Sequence, residues 1–473
     1  MSTRTDSVLA QLESIVDAGA RITAPEKLSG YAIGGVSPAI ALQPSSAQEI
    51  IEIVKFAAAE NLAIVPCGAR TKLEMGLPPR KYDIALDLTR MDRIVAYDPG
   101  DLTLSVEPGI LLRNLHQELG KHSQALPIGA PFMTRATVGG TIASGVDNPM
   151  RQFYGTVRDF ILGVEFVTGD GVLGKSGGCV VKNVTGYDLH KPMIGSLGTL
   201  GILTKINFRT FPAPQSIRGF TAFFSNAQEA AACRDAMASS PLRPLLFEIV
   251  SPGAAKLIES STSATFPGAP NVPPGILSAD SWTVLTCFTG GEPVLGRCEA
   301  ELRRMAEDCG ANAFARIGAN GAVPELVQAG AIFWRLREFV PIALEASPAC
   351  TITKISVPPE QIDHALAAVR HATEDHSLPW AAMARGVGVI YVALLPTARD
   401  EHAMKCVAEA TNRIHADSER LGGHATIPWC PTEWKQSLNI WGPQHGDLAL
   451  MKKLKSVFDP RGILAPGRFV AGI

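Results

Sequence analysis

The chain has 473 residues, enough for two or three domains, with 46% apolar and 19% charged residues to build and solubilise sizeable cores. Its 43 Lys and Arg against 45 Asp and Glu leave a net charge of −2, which gives no reason to expect nucleic-acid binding, and no run of Lys and Arg suggests a polybasic membrane patch. No stretch of about 18 uncharged apolar residues is long enough to span a bilayer. Met1 to Ala20 mixes Arg4, Asp6, Glu13 and Asp17 with apolar residues, which predicts an amphipathic helix and not a secretory signal, so a cytoplasmic location is expected. Nine scattered cysteines without a C-x-x-C pair fit a reducing compartment and offer no clustered thiolates for an iron–sulfur centre.

In chain order, the first third reads as α/β. Ile40 to Leu42 is a short apolar strand, Ser46-Ala-Gln-Glu49 is a capping-box pattern, and the spacing from Ile50 to Ala59 is helical. Leu62 to Val65 predicts a buried strand that stops at Pro66. Further strands are expected at Ile84–Leu88, Ile94–Tyr97 and Leu102–Val106, and a helix at Leu111–Leu119. Residues 127–145, rich in Gly, Pro, Thr and Ser, read as an unusually long and therefore functional loop. Phe160–Thr168 before Gly169-Asp-Gly171 is one arm of a hairpin, Ile202–Phe211 is a strand, and Pro212 and Pro214 mark a boundary. Beyond it, strands at Phe220–Phe224, Trp282–Phe288 and Val387–Leu395 alternate with helices at Ala227–Met237, Glu292–Asp308, Pro359–Ala372 and Ala398–His415. That order suits an antiparallel sheet with helices on one face. A loop is expected over 260–280 and a last helix over Leu448–Val457.

Four motifs carry the chemistry. Val65-Pro-Cys-Gly-Ala-Arg-Thr-Lys72 follows a strand, and a tight turn there lets backbone N–H groups approach a pyrophosphate, with Arg70 or Lys72 offsetting its charge. Ala136-Thr-Val-Gly-Gly-Thr-Ile-Ala-Ser-Gly145 pairs glycines, which clear space for a ligand, with hydroxyls that can bond it. Arg151-Gln-Phe-Tyr-Gly-Thr-Val157 comes third. Lys182-Asn-Val-Thr-Gly-Tyr-Asp-Leu189 with Gly195-Ser-Leu-Gly-Thr-Leu-Gly-Ile202 comes fourth. Each alone also fits an ordinary turn or surface loop, and none is a Rossmann or Walker fingerprint.

Taken in order, and with the terminal Phe458-Asp-Pro-Arg-Gly-Ile-Leu464, these motifs resemble the FAD-binding domain of the p-cresol methylhydroxylase and vanillyl-alcohol oxidase superfamily over about residues 30–215 and again over 448–473. Lys182–Leu189, Phe333-Trp-Arg-Leu-Arg-Glu338, Gly423-His-Ala-Thr426 and Trp441-Gly-Pro443 resemble, within it, the FAD-binding subunits of bacterial glycolate oxidase (glycolate dehydrogenase). The resemblance implies an α+β chain: a two-subdomain PCMH-type FAD-binding fold over 34–214, an antiparallel-sheet cap domain over 215–440, a lead-in over 1–33 and a C-terminal segment, 441–473, that returns to the FAD domain.

It also implies which residues meet FAD. Pro66, Cys67, Gly68, Ala69, Arg70, Thr71 and Lys72 would cradle the pyrophosphate. Ala136, Thr137, Val138, Gly139, Ser144 and Gly145 would line the flavin and its ribityl chain. Tyr154, Gly155 and Val157 would lie beside the isoalloxazine, with Gly201 and Ile202 at its pyrimidine side. Covalent members often carry a His in the first loop. Its absence predicts non-covalent FAD, with Cys67 the remaining candidate for a thioether link. Ala465 stands where hydroxy-acid members usually have Asn, and the metal-holding His-x-Gly-Asp-Gly-Asn-x-His motif is missing, so no metal site is expected.

Oxidising a 2-hydroxy acid needs cations for the carboxylate and a base for the hydroxyl proton. Arg335, Arg337, Arg385 and Lys354 are candidates for the first, His424 and His445 for the second, and each also fits a surface or structural role. The missing motif favours a flavin subunit of a glycolate or D-lactate-type dehydrogenase complex, partnered by a second flavoprotein and an iron–sulfur subunit and reaching a membrane only through them. A stand-alone FAD oxidase and a scaffold with structural flavin are the alternatives.

Overall fold

The computed structural model describes residues 15–146, 148–179, 187–261, 275–317, 332–444 and 446–473, which divide between two units. The first unit gathers Met1–Val146, Thr156–Ala213 and Gln444–Ile473; the second comprises Asp147–Gly155 and Pro214–Pro443. Most of the helix expected over Met1 to Ala20 lies outside the described residues; within them, Ala18–Ala20 is a 3-10 turn.

The first unit holds two larger sheets and a short antiparallel pair, β7 (Gln124–Ala125) with β11 (Phe211–Pro212). One larger sheet is ordered β1 (Arg21–Ile22), β2 (Ile40–Leu42), β4 (Ile84–Asp87), β3 (Ile64–Cys67), with β2, β4 and β3 parallel. β2 and β4 are buried throughout, as continuous apolar runs in parallel sheets are. Helix α1 (Ala47–Glu60) connects β2 to β3 and buries Ile50, Ile53, Val54, Ala57 and Ala58 against this sheet, the 3–4 spacing of one helical face. Ser46 caps it by accepting from the Glu49 amide, and Asn61, at φ 54°, ends it in the left-handed conformation. The Glu49 carboxylate turns to the amide and hydroxyl of Ser45, one residue before the cap, in place of the reciprocal box bond.

β3 does not stop at Pro66, as the sequence suggested, but runs to Cys67. The reason lies at the other end of the chain. Ile64 donates to the Ile463 carbonyl and accepts from the Ala465 amide, so the C-terminal segment lies along the free edge of β3. Strand periodicity turns the missing N–H of Pro66 toward that same edge. The segment turns away there, with Ala465 at φ 44°, so no ladder bond is lost.

The second sheet is antiparallel, in the order β5 (Ile94–Asp98), β6 (Thr103–Val106), β10 (Ile202–Arg209), β8 (Ile161–Val167), β9 (Leu173–Gly177). Against it pack helix α2 (Leu112–Gly120) and helix α3 (Val138–Ser144), burying Leu112, Leu115, Leu119, Val138 and Ile142. α3 corrects the expectation of one long loop over 127–145. Thr137 caps it by accepting from the Gly140 amide, and burial of Val138 and Ile142 offsets the helix-weakening glycine pair.

The second unit is built on one eight-stranded antiparallel sheet, ordered β15 (Ala313–Arg316), β12 (Ile217–Phe224), β14 (Trp282–Thr289), β13 (Leu246–Val250), β17 (Trp380–Arg385), β18 (Val389–Leu394), β16 (Thr351–Ser356), β19 (His424–Trp429). Four helices pack in a row along it: α6 (Glu292–Asp308), α4 (Ala227–Ala238), α7 (Ile362–Glu374) and α8 (Glu401–Arg420). Helix α5 (Pro252–Ser260) packs on β17. Much of the loop expected over 260–280 lies outside the described residues. Among the described residues, no helix is long and apolar enough to cross a membrane.

Helix α9 (Leu448–Phe458) brings the chain back to the first unit. Phe458 packs beside Phe166, their ring centroids 5.8 Å apart. Asp459, wholly buried, accepts from the Ile463 and Leu464 amides and from Lys455 Nζ at 2.6 Å. Lys455 also donates to the carbonyls of Thr199 and Leu464, so the Phe-Asp-Pro turn is pinned to the fourth motif.

Candidate active site and cofactor cleft

Three of the four motifs meet in the first unit. The end of β3, Pro66 and Cys67, and the loop Gly68–Leu73 that follows face Thr137 and α3; Gly198, Gly201 and Ile202 complete the walls. Leu88, Met193, Ile202 and Leu203 make one end of this cleft apolar, while Thr71, Lys72, Thr137, Ser144 and Arg468 make the other polar. Past Ala69 and Arg70 it adjoins a basin of about 700 Å³ lined by Lys27, Tyr31, Arg113 and Arg135 among others.

The glycines act differently from the sequence reading, in which they cleared space for a ligand. A Cβ on Gly68 would lie 2.1 Å from Thr137 Oγ1, one on Gly139 would lie 2.6 Å from Pro108 Cβ, and one on Gly198 would lie 2.4 Å from Pro66 Cγ. Gly145, at φ 60°, would meet Gly195 Cα at 2.9 Å. Each contact joins one motif to another part of the chain, so these glycines close the walls on each other and thereby shape the cleft.

The cations also differ from expectation. Arg70 lies 3.4 Å from Asp87 and stacks over the Tyr31 ring at 4.2 Å. Asp87 is nearly inaccessible and accepts in addition from Tyr31 Oη at 2.6 Å, Gln43 and Thr89. Arg70 therefore has a carboxylate of its own. Arg468, which sequence reasoning did not single out, is 2% exposed and lines the polar end of the cleft beside Lys72, itself buried. Burial pushes the Arg468 guanidinium down to about 10. Its only sequence signal is a basic residue just past the terminal Ala465-Pro-Gly467.

Of the remaining expected cofactor residues, Ala136 and Val138 are core residues under the cleft, and Gly145 ends α3. Val157 packs on the same core from the first unit, whereas Tyr154 and Gly155 belong to the second. Lys182–Gly186 and His445 lie outside the described residues. Cys67 is buried, and burial with the nearby Asp87 charge raises its thiol well above the ordinary range, keeping it protonated.

In the second unit the strand register aligns a polar row. Glu248 stands opposite Arg385, Met383 opposite Tyr391, Tyr391 opposite Lys354, and Lys354 opposite Thr426, two residues from His424. With a period of two, these side chains share one face of the sheet. Glu248 and Arg385 are buried, with Nε and Oε1 3.5 Å apart, and the Arg385 guanidinium lies 5.1 Å from the Tyr391 ring centroid. Arg335 and Arg337 form a separate group around Trp334. Arg335 is buried and donates to Ser261 Oγ at 2.6 Å, and Arg337 lies 3.4 Å from Glu338. Burial lowers both guanidinium pKa values. No described contact joins the two groups. Among the described residues, no three His, Cys, Asp or Glu side chains cluster as metal ligands do.

Comparison with known proteins agrees with this arrangement. Residues 38–176 match the family described as FAD binding domain, and residues 213–426 with 441–469 match FAD linked oxidases, C-terminal domain. The chain is 24% identical to glycolate oxidase subunit GlcD of Bacillus subtilis, over 92% of this chain and 89% of the relative. It is 27% identical to a D-2-hydroxyglutarate dehydrogenase of Xanthomonas citri, over 91% and 88%. Its similarity to glycolate oxidase subunit GlcE of Escherichia coli is higher, 37%, but covers only 36% of this chain and 48% of that one. The fold is that of p-cresol methylhydroxylase, solved with substrate bound: TM-score 0.78 at 18% identity, over 99% of this chain and 97% of the other. The cleft suits an elongated ligand with an apolar ring at one end and anionic groups beside Lys72 and Arg468, which is the chemistry of a dinucleotide flavin. The chain belongs to the FAD-linked oxidases and is an FAD-dependent oxidoreductase.

Proposed function

We propose that this chain is the FAD-binding subunit of a 2-hydroxy-acid dehydrogenase of the glycolate and D-lactate type, assembled with a second flavoprotein and an iron–sulfur subunit. The observation that carries the substrate class is the row of buried Glu248, Arg385 and Tyr391 and half-buried Lys354 on one sheet face. Arg385 and Lys354 supply positive charge for a carboxylate, and Glu248 and the Tyr391 ring hold the Arg385 fork in one orientation. His424, on the same face at the exposed start of β19, is the base proposed for the hydroxyl proton. Arg335 and Arg337 are proposed as further cations for the substrate's anionic end. The relatives named above for glycolate and D-2-hydroxyglutarate, and one named D-lactate dehydrogenase, support the same class. Bound FAD supplies the two-electron acceptor. In the first unit, Pro66–Lys72, Thr137 and Ser144 are proposed to hold it without a covalent bond, because the Cys67 thiol stays protonated and the loop offers no His. The domain division proposed with this reading is 34–214 with 441–473 for the cofactor and 215–440 for the cap.

The test is anaerobic reduction of the flavin in the FAD-loaded chain, alone and with its co-purifying subunits, by glycolate, D-lactate and D-2-hydroxyglutarate. Bleaching is expected with at least one acid, and Arg385→Met should slow it about 100-fold or more. No bleaching by any of them in either preparation would overturn the proposal. Rapid turnover with oxygen by the chain alone would favour a stand-alone oxidase over a complex subunit. Acid precipitation should release the flavin into solution.

A further inference from the structure

Arg468 is a buried cation whose partners are all neutral. Its Nη2 donates to the carbonyls of Leu73 and Met75, just past the phosphate-type loop. Its Nε is buried with no acceptor, and among the described residues no carboxylate lies within ion-pair distance, the Glu74 charge acting on it only from farther off. The half-buried Lys455 of the same unit, by contrast, has Asp459. A guanidinium taken out of water without an anion is strongly disfavoured. This one is nevertheless fixed by the fold, because the segment that carries it is tied to β3 through Ile463 and Ala465. It lines the cleft next to Lys72 and Thr71, which contribute a second cation and a hydroxyl to the same wall.

We propose that Arg468 is the counter-ion of the FAD pyrophosphate, so that the C-terminal segment and the cofactor hold each other in place. The proposal rests on the reading that this cleft takes FAD. A charge-assisted hydrogen bond from the guanidinium to a phosphate oxygen satisfies the donor that the protein leaves open. Binding free energies are reciprocal: if the docked segment tightens FAD, bound FAD tightens the docking of the segment by the same factor.

The experiment titrates the apo-protein with FAD and with riboflavin, which has no phosphate, following flavin fluorescence, for the wild type, Arg468→Gln and Arg468→Lys. Arg468→Gln is expected to weaken FAD about 10- to 100-fold, leave riboflavin within about twofold, and be partly rescued by Lys. Equal loss of FAD and riboflavin would reduce Arg468 to a brace for the loop and overturn the proposal, as would unchanged FAD affinity. Should Arg468→Gln not fold, the wild type decides: FAD should slow removal of the last residues by a carboxypeptidase, and riboflavin should not. Absence of that protection overturns the proposal. A wild type that binds no FAD would instead sink the reading of the cleft itself.

Discussion

Gly139 shows how single residues set the cleft of the first unit. Its missing side chain leaves room for Pro108, whose Cβ and carbonyl oxygen would lie 2.6 and 3.0 Å from an added methyl. Gly139→Ala should therefore cost about 1–3 kcal/mol in urea unfolding and lower the flavin retained per chain. Two buried histidines give a pH signature. Burial lowers the pKa of His190 and His415 from the ordinary 6.5, so the unfolded chain binds protons that the folded chain refuses. Their contribution to stability is complete above about pH 6.5 and is lost as pH falls below it. Unfolding midpoints measured between about pH 5 and 7.5 should show this slope, and His415→Leu should flatten it. The turn after β3 was legible at this scale, because it is a local pattern, whereas the Gly-rich segment 138–144 was read as loop because its glycine pair hides a helix that burial of Val138 and Ile142 sustains. Arg468 was not legible, because its meaning depends on a contact with Leu73 and Met75, nearly four hundred residues away along the chain. Nor was the commitment of Arg70 to Asp87, which a stretch of seventeen residues separates.

Elements with strong local signals were read correctly from sequence. The apolar face of α1, the span of α6 and the Gly169-Asp-Gly171 turn between β8 and β9 all stand as expected. The strands that escaped notice have weak or contrary signals. β17, Trp-Ala-Ala-Met-Ala-Arg, is composed of helix formers and is a strand because β13 and β18 flank it. β13 carries a buried Glu248, which interrupts its apolar run. Pro66 misled in the opposite direction, since its effect depends on which edge its missing N–H faces. The Phe-Asp-Pro turn is the element with the most to lose. Asp459→Ala would strip the half-buried Lys455 of its carboxylate and two amides of their acceptor. We expect a loss of about 3–5 kcal/mol in the unfolding of the first unit, measured by denaturant titration.

For the whole molecule, the division into units predicts how it fails. A chain ending at Phe458 lacks the strip along β3, the Asp459 knot and Arg468. The second unit keeps its eight strands and its row of four helices intact. Limited proteolysis of that truncated chain should degrade the first unit and spare a fragment close to Pro214–Pro443, identified by mass spectrometry. Survival of the first unit at wild-type rates would show that the C-terminal return is dispensable.

The order of synthesis gives that return a further consequence. Residues 1–213 leave the ribosome before the second unit, yet the edge of β3 and one wall of the cleft proposed for FAD arrive only with residues 459–468. Segments made early usually fold early. Here the early half must wait, incomplete, while the whole second unit is made. Cofactor capture is therefore expected to wait until these residues are made, and a chain cut short upstream of them should retain less flavin than the full chain, as the flavin absorbance of the purified fragment would check.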